Sequence, residues 1–355
     1  MKRNQSDTGK MNLVILSTLA FVSVAQICHA YEYVDGPVQK NRVEDFHCPG
    51  LYCGRSEFND THYSGCGKCE RGWRVSNNTH SICQECKQNP TMYDWLFLAF
   101  HAVLVLVLHW MAIDLTAKRR YLTQAVLAVH ICAAIEVVSA ALITLLINHP
   151  VGSLELRACR VDRLSDWYTY FHNPNPNYER TLNCTQEAVF PLYTMIFIFY
   201  SLCGVIMVLL RPLLASKLLP RRGRSSIFAA LYFLPVLALI QAVGGGLVYA
   251  SYPYIVLILS LISSAFHFAF KLDQSAKSLL LGCAKDARSA VILLGHWLLH
   301  AFGILAITQI REPSLHLPML ALVPVPALFY VLTVRFSEPE NFLSESNRGD
   351  TTACH

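Results

Sequence analysis

Residues 95–113, WLFLAFHAVLVLVLHWMAI, decide the fold. The stretch holds no Lys, Arg, Asp or Glu. At about 1.5 Å rise per residue it is long enough to cross a hydrocarbon core of ~30 Å. In lipid an isolated strand leaves its backbone groups unpaired, so such a run is read as a helix. Runs 124–147, 188–210, 227–249, 252–270, 291–310 and 317–334 are similarly long and apolar, with Glu136 their one acidic residue, and all 29 Lys and Arg lie outside the seven runs. The sequence therefore predicts an all-α multispanning membrane protein with seven transmembrane helices.

The connections set the orientation. Those after the first, third and fifth runs carry Lys118, Arg119 and Arg120, then Arg211, Lys217, Arg221, Arg222 and Arg224, then Lys271, Lys277, Lys285 and Arg288. The connection after the fourth run carries no basic residue, and the one after the sixth carries Arg311 alone. By the positive-inside rule the odd-numbered runs end in the cytosol. The N-terminal region and the connection 148–187 are then lumenal, and the tail 335–355 is cytosolic.

The first thirty residues agree with this layout. Lys2, Arg3 and Lys10 precede a short apolar core at 13–24, followed by small residues. That is a signal peptide, with cleavage after Ala25 or Ala30. The expected organisation is a signal peptide at 1–30, a head at 31–92, a membrane domain at 93–334 and the tail.

At 54% hydrophobic and 15% charged residues, the chain has too few polar residues for a large soluble domain beside its spans. The net charge of +5 is explained by topology-setting loops and contact with membrane lipids, not by nucleic acid. No Gly-rich phosphate loop, kinase signature or G-x-S-x-G elbow is present.

The head holds Cys48, Cys53, Cys66, Cys69, Cys83 and Cys86. Read alone, the pairs Cys66/Cys69 and Cys83/Cys86 suit a zinc ribbon. An oxidising lumen instead favours disulfides, and a segment this small and apolar-poor needs covalent staples. Six cysteines leave the connectivity open. The loop 148–187 adds Cys159 and Cys184, so cleavage after Ala30 leaves an even lumenal count of eight. Sequons at Asn59, Asn77 and Asn183 all fall on the side assigned to the lumen. Within the loop, Leu154, Ala158, Val161, Leu164 and Tyr168 recur at helical spacing, which predicts a short amphipathic helix on the membrane surface.

Several polar residues lie inside the runs. Glu136 is near the middle of the second, where a carboxylate is expensive, and the expectation is a structural pairing within the bundle. His109 and His130 are placed to pair with polar neighbours. His296 and His300 are one helical turn apart, a spacing that suits two metal ligands, yet no third ligand can be assigned. Interhelical hydrogen bonding accounts for them, so no metal is expected. Gly244, Gly245 and Gly246 allow close helix approach, Pro253 closes a short lumenal turn, and Pro324 and Pro326 kink the last span.

A set of segments spread along the chain carries a family resemblance: 49–54 (PGLYCG), 93–96 (YDWL), 165–169 (SDWYT), 187–194 (EAVFPLYT), 210–214 (LRPLL), 241–247 (QAVGGGL), 296–300 (HWLLH) and 320–330 (LALVPVPALFY). Together they resemble the Jun N-terminal kinase-associated membrane protein family, from about residue 48 to residue 339. The resemblance implies a multispanning endoplasmic-reticulum protein acting in the degradation of misfolded proteins. It further implies association with ubiquitin ligases and proteasome components, and with Jun N-terminal kinase signalling. It supplies no catalytic or ligand-binding residues and no cofactor, so the expected role is a non-enzymatic scaffold. The segments 211–224 and 271–288 and the tail are then the cytosolic docking strips. Other readings are a seven-span receptor, a proton-coupled carrier using Glu136, or an intramembrane zinc hydrolase using His296 and His300.

Overall fold

The computed structural model describes residues 47–59, 62–75, 81–117, 123–172, 184–218, 223–271 and 275–337. The expected signal segment, Asn77, Asn183 and the tail beyond residue 337 lie outside them.

Helix α1, Met92–Ala117, starts where Thr91 and Asp94 satisfy each other's exposed donors. The Thr91 N–H donates to Asp94 Oδ2 at 2.8 Å, and the Asp94 N–H donates to Thr91 Oγ1 at 3.2 Å. Helix α2, Gln124–Ile147, is capped by Thr123, whose side chain accepts from the Val126 N–H, and stops at Asn148 in extended backbone. Helices α3, Leu192–Leu218, and α4, Gly223–Ala269, follow. Their apolar faces meet α1 and α2 around Phe97, Val137, Ile196, Leu234 and Tyr252.

The remaining helices are α5, Ala276–Lys285, α6, Ala287–Thr308, α7, Pro313–Met319, and α8, Val325–Ser337. A second apolar cluster joins Phe268 of α4, Leu279 of α5, and Ala327 and Val331 of α8. Within segment 271–288, residues 276–285 fold as α5, capped by Ser275, with Leu279 fully buried.

Among the described residues, six helical segments are long and apolar enough to cross a membrane. The difference from seven lies in α4, where the runs 227–249 and 252–270 form one helix with Pro235 and Pro253 inside it. The expected turn at Pro253 is not formed. Proline cannot donate to the carbonyl four residues back, but the Tyr93 hydroxyl donates to that carbonyl, Tyr249 O, at 2.7 Å. The helical path is thus kept without the missing N–H. In the last candidate span, Pro313–Val334, the helix breaks as Pro324 and Pro326 require. A 3-10 turn at Leu320–Leu322 separates α7 from α8.

The head is three short antiparallel pairs: β1 (Cys53–Gly54) with β4 (Gly67–Lys68), β2 (Glu57–Asn59) with β3 (His62–Tyr63), and β5 (Trp73–Val75) with β6 (Cys83–Glu85). Four disulfides staple it: Cys48–Cys66, Cys69–Cys83, Cys53–Cys184 and Cys86–Cys159. Both C-x2-C pairs are split between different bridges, so the zinc-ribbon grouping is not formed. Gly54 is required here, because a Cβ would lie 2.6 Å from Cys83 Sγ and 2.8 Å from Cys69 Sγ.

The amphipathic helix expected over 154–168 is also not formed. Cys159 is tied to Cys86, and the N–H groups of Ala158 and Cys159 donate to Gln88 O and Phe190 O, each at 2.8 Å. These non-local partners hold the strand-like path that helical periodicity alone does not reveal. Only two 3-10 turns remain, Leu164–Trp167 and Thr169–His172.

Candidate functional site

Three helices bring Glu136, Arg211 and His109 together, and all three side chains are fully buried. Glu136 lies 12 residues into α2, about 18 Å from that end, whereas Arg211 lies seven residues from the matching end of α3, about 10 Å in. The long arginine stem closes the difference. Arg211 Nε donates to Glu136 Oε1 at 3.2 Å, and Nη2 donates to Oε2. Arg211 Nη1 lies 3.1 Å from His109 Nδ1. A guanidinium has only donors, so Nδ1 must offer its lone pair and the imidazole is neutral. The Cys132 thiol adds a fourth contact, to Glu136 Oε1 at 3.2 Å.

The cluster is therefore a charge-neutral, bidentate ion pair with a histidine behind the guanidinium and a thiol beside the carboxylate. The sequence leads one to expect a partner for Glu136 within the bundle and puts Arg211 in the following connection, whereas the structure sets Arg211 on Glu136. The apolar run stops at Leu210, yet α3 continues through Arg211 and Pro212 to Leu218. A charge one position past a run is ambiguous until its partner on another helix is known.

His130 is held locally. Its Nδ1 contacts Val126 O at 2.8 Å, and its Nε2 lies 3.4 Å from Asp114 Oδ1. His296 and His300 face α4, where Ser263 and Ser260 lie 3.1 and 2.9 Å from their Nδ1 atoms. Among the described residues no group of three or more His, Cys, Asp or Glu is disposed to hold a metal ion.

On the head side, Asp166 clamps the loop to the head. Its carboxylate accepts from the N–H groups of Asp162 and Arg163 at 2.9 and 3.0 Å, from the Tyr52 hydroxyl at 2.8 Å and from Arg74 at 3.1 Å. Burial pushes the Tyr52 phenol up to about 12 despite the Ser165 hydroxyl, with the Asp166 charge adding to the rise. Trp167 then packs on Phe97 and Tyr249. A Cβ on Gly246 would meet its ring carbon at 2.8 Å, so that glycine admits the loop tryptophan and not a neighbouring helix. Tyr52, Asp166 and Trp167 lie in segments that carried the resemblance, but the contacts between head, loop and helices join residues too distant in sequence to be read from it.

Comparisons with known proteins match the same range. The family model for the JNK1/MAPK8-associated membrane protein matches residues 48–339. A protein named "JNK1/MAPK8-associated membrane protein" from Homo sapiens is 46% identical over 310 residues, covering 85% of this chain and 97% of its own length. The Mus musculus protein of that name gives the same figures. A homolog from Caenorhabditis elegans is 35% identical over 280 residues, covering 79% of this chain and 85% of its own length. No solved structure matches.

Proposed function

The chain belongs to the JNK1/MAPK8-associated membrane protein family, and from that premise we propose that it is a non-enzymatic scaffold of the endoplasmic-reticulum membrane. In this reading it gathers ubiquitin ligases and proteasome components for the degradation of misfolded proteins. It also contacts the kinase for which its relatives are named. Tethering such machinery raises its effective concentration near substrates without new chemistry. The observation that carries the proposal is the family match across 48–339. The internal pairing of Glu136 with Arg211 supports a structural role for the buried carboxylate over a carrier's.

We place the head in the lumen, with the glycosylation sequons, and the tail in the cytosol. The 45-residue apolar segment Ser225–Ala269 is about 68 Å long at helical rise, more than twice a ~30 Å core. Two crossings there, and so seven in all, keep the tail opposite the head, and they require the helix, unbroken at Pro253 here, to reverse at that point. The cytosolic contact surface is narrower than the sequence suggests. Arg211 is buried and Leu279 anchors α5, which leaves the stretch from Lys217 to residue 224, the outer side of α5 with Lys277, and the tail.

Affinity capture of the full chain in mild detergent tests this reading. Proteasome and ligase subunits should co-purify, and replacing residues 217–224 and the tail should slow clearance of a misfolded lumenal reporter. Normal clearance without these segments would overturn the scaffold reading.

A further inference from the structure

In the head-side half of the bundle, α1, α2 and α3 border a cavity of about 200 Å³. On α1 its wall runs from Trp95 to Ala102, about 5 to 15 Å from the start of that helix at helical rise. Met195, Ile196 and Phe199 of α3 form the floor and are buried. On α1 and α2 the wall includes the exposed Trp95 and the half-buried Ala99, Ala102 and Ala141, so the cavity opens between these two helices. Both are candidate spans, and the opening meets hydrocarbon instead of water. The wall itself is almost wholly apolar. Thr144 spends its hydroxyl proton on Ala140 O at 2.7 Å. His101 sets Nδ1 2.5 Å from the Tyr200 hydroxyl, and its Nε2 is covered by protein. Water has no partner in such a space, and a dry void forfeits the contacts of the atoms that line it.

We propose that this cavity is a binding site for one acyl chain of a phospholipid in the leaflet on the head's side. Wall chemistry, depth and size select that occupant. A polar or charged group entering here would gain no hydrogen bond for its lost hydration. The lateral opening lies at the depth of lipid chains, with Trp95 near the helix end, where tryptophan rings favour the headgroup level. An apolar cavity of roughly 150 Å³ takes one benzene ring. A space larger by about a third suits the flexible length of a chain and not the fused rings of a sterol. Three alanines, Ala99, Ala102 and Ala141, make the room, since a longer side chain at these positions would extend into it. The site lies within the membrane and stands whether or not the cytosolic segments recruit degradation machinery.

The test reconstitutes the full-length chain in phosphatidylcholine vesicles that hold a phosphatidylcholine with a diazirine midway along one acyl chain. After illumination the adducts are located by peptide sequencing. Adducts are expected on the exposed Leu142 and Ile143, and also on Met195, Ile196 or Phe199, which are buried and which a chain reaches by entering the cavity. Labelling of the outer residues alone would overturn the proposal. Ala102→Leu with Ala141→Leu should lower the ratio of floor to outer labelling roughly tenfold, a size set by denying burial to about two methylenes. An unchanged ratio would overturn it as well. A photoactivatable sterol in the same vesicles should leave the floor unlabelled, and floor adducts from it that displace those of the chain would overturn the choice of ligand. Where the double variant does not fold, the wild-type adducts and the sterol arm decide.

Discussion

The Tyr93 hydroxyl donates to the Tyr249 carbonyl at 2.7 Å, the acceptor that Pro253 leaves without an N–H. A side chain at the start of α1 thus repairs the backbone of α4, and it does so beneath the head, where Tyr249 also donates to Asp94 at 2.7 Å. Tyr93→Phe should destabilise the bundle by about 1–3 kcal/mol, the usual cost of an unsatisfied buried acceptor. Adding Pro253→Ala restores a helical donor and should recover most of that loss. Thermal unfolding in detergent of both variants would show it, and a Tyr93→Phe variant as stable as wild type would refute the repair.

The Glu136–Arg211 pair gives a sharper contrast. Removing one partner leaves the other charged and buried, so Arg211→Met or Glu136→Leu alone should cost about 3–5 kcal/mol. The double substitution Glu136→Leu with Arg211→Met leaves no charge and should be far milder than the sum. A double-mutant cycle by chemical denaturation measures this, and additive losses would mean that the two groups do not act as a pair.

Cys86–Cys159 and Cys53–Cys184 join the head to the loop between α2 and α3. Cys86→Ser with Cys159→Ser should therefore loosen the loop as well as the head, at a cost of about 2–5 kcal/mol. Limited proteolysis should cut within residues 148–172 faster than in wild type. Unchanged cutting there would assign the loop's order to the Asp166 clamp and the remaining Cys53–Cys184 bridge.

Alkaline pH probes that clamp. The Tyr52 phenol is raised to about 12 in the folded protein, whereas an unfolded tyrosine ionises near ~10. The neutral phenol is thus favoured by folding. This contribution is complete below about pH 10 and is lost as pH rises through about 12. Tyrosinate absorbance should show one late-titrating phenol fewer in Tyr52→Phe, and that variant should lack the alkaline loss of head–loop protection. Identical titration of both proteins would remove the phenol from the clamp.

The number of crossings within α4 is open to labelling. Ser251→Cys, just before Pro253, should react with an impermeant thiol reagent from the same side as the head. Reaction only from the opposite side, or none in intact vesicles, would argue against two crossings there.

The parts legible in the sequence were those fixed locally. Lipid leaves a long apolar run little choice but helix, and Pro324 and Pro326 interrupt the last candidate span as their chemistry demands. What the sequence concealed depends on distant partners. Arg211 looks like the first residue of a basic loop until Glu136 is placed opposite it. Pro253 looks like a turn until Tyr93 supplies the missing donor. The periodicity of Leu154 to Tyr168 suits a helix, but the bridge to Cys86 and the pairing with Gln88 and Phe190 outweigh it. The one-turn spacing of His296 and His300 is visible in the sequence, whereas the serines that lie against them, Ser263 and Ser260, are on another helix.

The Cys53–Cys184 bridge spans 131 residues, and this separation imposes an order on biogenesis. During synthesis at about 5–20 residues per second, Cys53 waits on the order of ten seconds for its partner to emerge. In that interval α1 and α2 must both enter the bilayer and return the chain to the head's side. A ribosome that stalls before Cys184, or a hairpin inserted the wrong way round, leaves Cys53 without that partner. The bond is thus a covalent record that the first two helices were threaded correctly, written before the second half of the protein has been made.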